Sequence, residues 1–297
     1  MNVLLVGKTG MLSQEINLRL QSLTFDLDVP SRKELDITSI SSIKSYTEKK
    51  SYRYIINCAA YTQVDLAEDK KELAFSINAQ GVKNLSHLAN EKKAKLIHFS
   101  TDYVFDGKKT GPYIESDTPN PLGVYGESKY AGERELTQCC HDYLLIRLSW
   151  LCGVKGPNFI ESMIHLMHTK EELSIVNDQI GCPTFCADVS FLFPKILNLS
   201  GIYHFASSNP CSWYDFAEAI LNQLNENSFP VTIKKLKSIP SSDYPTKSPR
   251  PKNSVLNSKK LEKALDLSFN SWQESLALYL NQRLANISSN SKEKISI

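Results

Sequence analysis

Residues 1–16 read MNVLLVGKTGMLSQEI: a short apolar run empties into Gly7-Lys8-Thr9-Gly10 and then into a helix-period segment. Gly-Lys-Thr first suggests a triphosphate loop, which needs a glycine five residues before the lysine and a strand before that glycine. Val3 fills that position here, or Asn2 if the spacing stretches by one, so the spacing argues against such a loop. The other reading is a dinucleotide turn, in which a strand ends at Gly7 and the N–H groups of a helix N-terminus face a pyrophosphate. Gly7 and Gly10 then make the turn, and the backbone of Met11 and Leu12 opens the helix. Ser13 stands where a third glycine is common and marks close packing of helix on strand.

Outward from this turn the pattern repeats. VLLV is followed by a helical period from Met11 to Leu23, YIINCA by a long stretch through Leu85 and Leu88, and KLIHFS by Tyr125 to Cys140; YLLIRLSW comes next. Runs that are apolar on both faces, separated by amphipathic helices, predict a parallel sheet covered on both sides. The fold class is therefore α/β, a Rossmann-like doubly wound parallel sheet. After Trp150 the rhythm loosens into a helix near Asn158 to Thr169, a strand LSIVN, a helix from Asp188, a strand GIYHFA, a helix from Trp213 and a strand VTIKKL. We expect a nucleotide-binding domain over 1–150, to which later segments can return, and a smaller α/β substrate domain over 151–285. The polar tail 286–297 is expected to be disordered. SIPSSDYPTKSPRPKNS (238–254) carries four prolines and cannot be regular helix or a central strand; it reads as an ordered loop or a linker.

The 297 residues hold 34 Lys and Arg against 32 Asp and Glu, a balance that does not point to nucleic acid or an anionic membrane as partner. No apolar run approaches the roughly 20 residues that span a bilayer, and the cytoplasm is the expected location. Seven cysteines, with no C-x-x-C among them, suit a reduced compartment, and no metal site is expected.

The chemistry concentrates around YGESK. Tyr125 and Lys129 are four residues apart, so on a helix they share a face. An ammonium near a phenol favours phenolate, and a tyrosine so placed can exchange a proton with a carbonyl or alcohol oxygen while hydride moves at the adjacent carbon. Ser100, Thr101 and Asp102 close a buried strand, where open α/β sheets bind their ligands. NCAAYTQVD closes the preceding strand with small residues at Ala59 and Ala60, beside Tyr61, and lets a flat ring approach the backbone.

Taken with INAQG, STDYVFDG, PLGVYGESKYAGE, RLSWLCG, NDQIGCPT and PRPKNSVLN, these motifs resemble the dTDP-4-dehydrorhamnose reductase family of the extended short-chain dehydrogenase/reductase superfamily, over nearly the whole chain. The resemblance implies hydride transfer from NAD(P)H to the C4 keto group of dTDP-4-dehydro-L-rhamnose. It implies Tyr125 as proton donor, Lys129 as the group that lowers the tyrosine's pKa and holds the nicotinamide ribose, and Thr101 as hydrogen-bond partner of the substrate oxygen. Asp102 would orient the sugar, Trp150 would pack on it, Gln179 would line its pocket, and Arg250 with Lys252 would meet the pyrophosphate. Asn78 and Asp65 would organise the loop around the cofactor. Relatives that dehydrate sugar nucleotides carry a Glu after the Asp; Tyr103 stands there, which favours simple reduction.

In the stretch DLDVPSRKELDIT, Asp36 and Ile37 resemble the family's adenine-contacting pair, which puts Ser31 and Arg32 at the specificity position and favours NADPH. A second strand ending at Asp28 would instead favour NADH. Rival readings are a non-catalytic NADP-binding regulatory subunit like that of methionine adenosyltransferase, and a 4-ketoreductase for another nucleoside-diphosphate deoxysugar. The resemblance also leaves a homodimer open; Glu15 matches a position where some relatives place Mg²⁺, but no metal is carried over.

Overall fold

The computed structural model describes residues 1–293, with side chains through Leu284. The first half runs β1 (Asn2–Val6), α1 (Met11–Ser22), β2 (Asp26–Asp28), α2 (Ile40–Thr47), β3 (Tyr54–Asn57), α3 (Val64–Ala67), α4 (Lys71–Phe75), α5 (Gly81–Lys92), β4 (Lys95–Thr101), α6 (Val124–Cys139) and β5 (Tyr143–Leu148). A π-helical turn over Ser76–Gln80 joins α4 to α5. The second half runs β6 (Leu151–Cys152), α7 (Phe159–Thr169), β7 (Glu172–Val176), β8 (Ile180–Gly181), β9 (Thr184–Phe185), α8 (Cys186–Ile196), β10 (Gly201–Phe205), β11 (Cys211–Ser212), α9 (Trp213–Glu226), β12 (Lys235–Ile239), α10 (Lys259–Leu265) and α11 (Trp272–Glu293).

Six strands form one parallel sheet in the order β10-β5-β4-β3-β1-β2. Alternate residues of each strand feed opposite faces, which is why the runs are apolar throughout. Val3 and Leu5 of β1 join Ile97 of β4 and Ile146 of β5 under α1 and α8. Leu4 and Val6 join Leu96 and Leu145 under α5 and α6. The chain steps outward from β1 to β2 and then returns to β1's other side as β3, so a crevice opens at the carboxyl ends of β1 and β3.

GIYHFA departs from the second-half pattern by returning to this sheet as its edge strand, beside β5. Helices α8 and α10 also pack on this sheet's core, whereas α7, α9 and α11 gather on a core of their own, in which Phe216 and Ile220 of α9 meet Met163 and Met167 of α7 and Leu276 of α11. The strand expected over VTIKKL begins late, at Lys235: the N–H groups of Thr232 and Ile233 both donate to the Met167 carbonyl, so this stretch first wraps the end of α7. The proline-rich segment is an ordered loop, held where Asp178 accepts from the Ser241 N–H (2.8 Å) and Asp65 from the Ser248 N–H (3.0 Å). Helix α11 runs on to Glu293, through the first part of the stretch expected to be a tail; residues 294–297 lie outside the described residues. Among the described residues no helix is long and apolar enough to cross a membrane.

Candidate active site

Gly7 turns with φ +92°, and a Cβ there would stand 2.5 Å from the Ala59 nitrogen, so the bend and the approach of β3 both require glycine. The Gly10 N–H closes the turn on the Gly7 carbonyl at 2.9 Å. Helix α1 then starts with no side-chain cap and no acidic residue in its first turn, leaving the N–H groups at Met11 and Leu12 for an anion. Ser13 is buried but also lines the adjoining cavity, and among the described residues its hydroxyl has no hydrogen-bond partner.

Along this edge lies a cavity of about 400 Å³ lined by Gly7, Gly10, Ser31, Arg32, Asp36, Ile37, Ala59 and Ala60. Strand β2 does end at Asp28, yet Asp28 is no part of that lining. Its carboxylate accepts from the hydroxyls of Tyr46 and Tyr52 and from Lys50. Burial would raise its pKa, but these three donors outweigh that and hold it below the ordinary value. Ser31 is also engaged, its N–H donating to Glu34 at 2.7 Å. Arg32 and Lys8 both line this cavity, and Arg32 makes no ion pair among the described residues. Asp36 accepts from both the N–H and the hydroxyl of Thr38.

A second cavity, of about 510 Å³, adjoins the first at Thr9, Gly10, Cys58, Ala59 and Ala60. Met11, Leu12, Thr101, Asp102, Tyr125, Lys129 and Trp150 all line it. Helix α6 brings Tyr125 and Lys129 to one face. Its start is fixed from outside, because the Val124 N–H donates to Glu68 at 3.0 Å. Tyr125 is hydrogen bonded to Thr101; burial nevertheless pushes its phenol up to about 12. The expected lowering by Lys129 is absent from this arrangement, because the Lys129 ammonium donates to the Phe99 carbonyl at 2.6 Å. Burial lowers Lys129 itself to about 8, against the opposing field of Glu133. Asp102 sits on the wall with its carboxyl buried and accepts from Thr101 (3.0 Å) and Ser149 (3.2 Å). Burial raises it to about 6, while Ser254, Thr101 and Ser149 pull the other way.

Not every expected residue reaches this trench. Gln179 stands off it, donating to the Ser241 hydroxyl at 3.0 Å. Arg250 is committed to Asp65 (2.8 Å) and to the Ser248 carbonyl (3.0 Å). Tyr61 lies just behind the lining, with its N–H and carbonyl both held by the Asn78 amide, which also donates to Ser128 of α6. Asn78 therefore ties the β3 loop to the helix that carries Tyr125. Trp213 lines the second cavity and was not singled out. Its only sequence signal is the capping box of Ser212 and Asp215, which marks where α9 starts but not what its first residue faces. Among the described residues no group of His, Cys, Asp and Glu could hold a metal ion.

A family model described as the RmlD substrate binding domain matches residues 1–285. The chain is 36% identical over 292 residues to the dTDP-4-dehydrorhamnose reductase of Escherichia coli (strain K12), covering 95% of this chain and 98% of that one. It is 36% identical over 283 residues to the enzyme of the same name from Salmonella typhimurium, covering 92% and 95%. Its structure matches the crystal structure of dTDP-4-dehydrorhamnose reductase from Bacillus anthracis in complex with NADP at a TM-score of 0.89, with 35% identity and coverage of 95% and 99%.

Proposed function

The chain belongs to the family of the RmlD substrate binding domain, and we propose on that premise that it reduces the C4 keto group of dTDP-4-dehydro-L-rhamnose to dTDP-L-rhamnose with NADPH. One observation carries the proposal: Thr101, Asp102, Tyr125 and Lys129 meet in a single cavity that is continuous with the trench over the glycine turn.

The residues present fit a dinucleotide. The open N-terminus of α1 suits a pyrophosphate, Asp36 and Ile37 line the side where an adenine would rest, and Ala59 and Ala60 keep the β3 end flat. Arg32 is placed for a 2′-phosphate, and Asp28, which accepts from three donors and does not line the cavity, is not placed for a 2′-hydroxyl. A reduced nicotinamide supplies hydride to the carbonyl carbon when bound. Tyr125 gives its proton to the oxygen that gains charge, and Thr101 steadies that oxygen by hydrogen bond. Burial keeps the phenol protonated at neutral pH, as a donor must be. Lys129, charged below about pH 8, is the donor for a ribose hydroxyl. Asp102 orients the sugar, and Trp150 packs against it.

Mixing the protein with NADPH and dTDP-4-dehydro-L-rhamnose and following the nicotinamide absorbance tests this reading. Turnover is expected; tight NADPH binding without turnover would refute it.

A further inference from the structure

We propose that Trp213 is a specificity-determining residue, which with Trp150 builds an apolar wall that selects a 6-deoxy sugar over its 6-hydroxy counterpart. The inference rests on the reductase reading above.

Trp150 is held in an unusual way. Its backbone lies in the left-handed region at φ +45°, where a bulky L residue is strained. Its indole is stacked on that of Trp213, with ring centroids 3.4 Å apart and planes within 4°. Gly181 completes the setting, because a Cβ there would fall 2.4 Å from Trp150 Cε2. The two supports are linked: β8, which carries Gly181, pairs antiparallel with β11, which leads directly into Trp213. Phe159 backs Trp213 at 4.6 Å, and the capping box of Ser212 and Asp215 fixes the first turn of α9. A strained residue fixed from two sides is a built wall.

That wall faces the reacting groups. Trp150 and Trp213 line the same cavity as Thr101 and Tyr125, alongside Leu151 and Pro157. In a 4-keto hexose the C6 carbon is two bonds from the carbonyl carbon, so a carbonyl at Tyr125 keeps C6 within this cavity. A methyl group is at home against indole rings. A hydroxyl there loses water and finds no acceptor on the ring faces, and such a pocket discriminates by about a hundredfold.

The experiment measures kcat/KM for the 6-deoxy-4-keto sugar nucleotide and for its 6-hydroxy counterpart in wild type, Trp213→Ala, Trp213→Phe and Gly181→Ala. Trp213→Ala should lose about tenfold or more with the deoxy sugar and much less with the hydroxy one, so that the preference falls about tenfold while KM for NADPH stays the same. Trp213→Phe should keep most of the preference. Gly181→Ala, whose Cβ would press on the Trp150 indole, should lower it as Trp213→Ala does, and the near-ultraviolet circular dichroism of the stacked indoles should change in both. If Trp213→Ala does not fold, Gly181→Ala alone decides. An unchanged preference in a folded variant whose indole signal is lost overturns the inference. Wild-type protein inactive on both sugars overturns the reductase reading instead.

Discussion

Replacing Asp102 by Asn should change how stability depends on pH. Asp102 is 2% exposed, and its carboxyl is hydrogen bonded to hydroxyls and to a backbone N–H, with no ion pair among the described residues. Burial raises its pKa from the ordinary 3.8 to about 6. Because the folded value lies above the unfolded one, the native state holds more protons than the unfolded chain between about pH 4 and 6. Stability due to this group is therefore present at acid pH and lost as pH rises through that window. At ~1.4 kcal/mol per tenfold change in proton affinity, the loss by pH 7 is about 3 kcal/mol. Asn has the same shape and no charge, so the variant escapes that loss. Its amide also forfeits one acceptor, at about 1–3 kcal/mol, but this offset does not vary with pH. Urea unfolding at several pH values from 4 to 7.5 should show the variant gaining on wild type by about 3 kcal/mol across the window. Parallel curves would refute the placement of an unpaired buried carboxyl on this wall.

Three other substitutions separate the roles. Tyr125→Phe removes the only proton Tyr125 has to give and leaves its ring in place, so kcat should fall by about a hundredfold or more while NADPH affinity, read by fluorescence, is retained; near-normal turnover would remove Tyr125 from the chemistry. Arg32→Ala should raise KM for NADPH about tenfold and leave KM for NADH nearly the same, since a charge-assisted contact between the exposed Arg32 and a phosphate is worth about 1.5 kcal/mol; equal effects on both would show that Arg32 does not meet the 2′-phosphate. Ser13→Ala deletes a fully buried hydroxyl that has no partner, so it should be neutral or stabilise by about 1 kcal/mol, with cofactor affinity unchanged; a large loss of affinity in titrations would show that the hydroxyl belongs to the cofactor site.

The six-stranded sheet was legible because residues such as Leu4, Ile55, Leu96 and Leu145 are buried on one face while their neighbours are buried on the other. That leaves a continuous apolar run which a sequence carries openly. The destination of GIYHFA was not legible, since a strand's own residues do not say which sheet it will join. The candidate group Thr101, Asp102, Tyr125 and Lys129, which share one cavity, was visible through spacing on one helix and one strand end. Gln179 and Arg250 were not so fixed, because their contacts depend on where Ser241 and Asp65 arrive from distant segments. Asp28 shows the same limit. Its place at the end of β2 argued for one cofactor, and only the approach of Tyr46, Tyr52 and Lys50 shows that its carboxylate is already occupied.

Burial acts on Tyr125 and Lys129 in opposite directions and leaves both of them protonated at neutral pH. With the phenol at about 12 and the ammonium at about 8, the pair at neutral pH is a protonated tyrosine above a charged lysine. The neutral phenol is the form that the proposed proton donor needs, and at pH 7 a value near 12 puts the phenolate about 7 kcal/mol above it. Lys129 offsets little of this while its ammonium is turned to the Phe99 carbonyl. Asp102 acts on the same group of protons: once ionised above about pH 6, it draws the Thr101 hydroxyl proton toward itself. Thr101 is then left to accept from Tyr125, which holds the phenolic proton until a more basic oxygen, the one that gains charge during reduction, comes within reach.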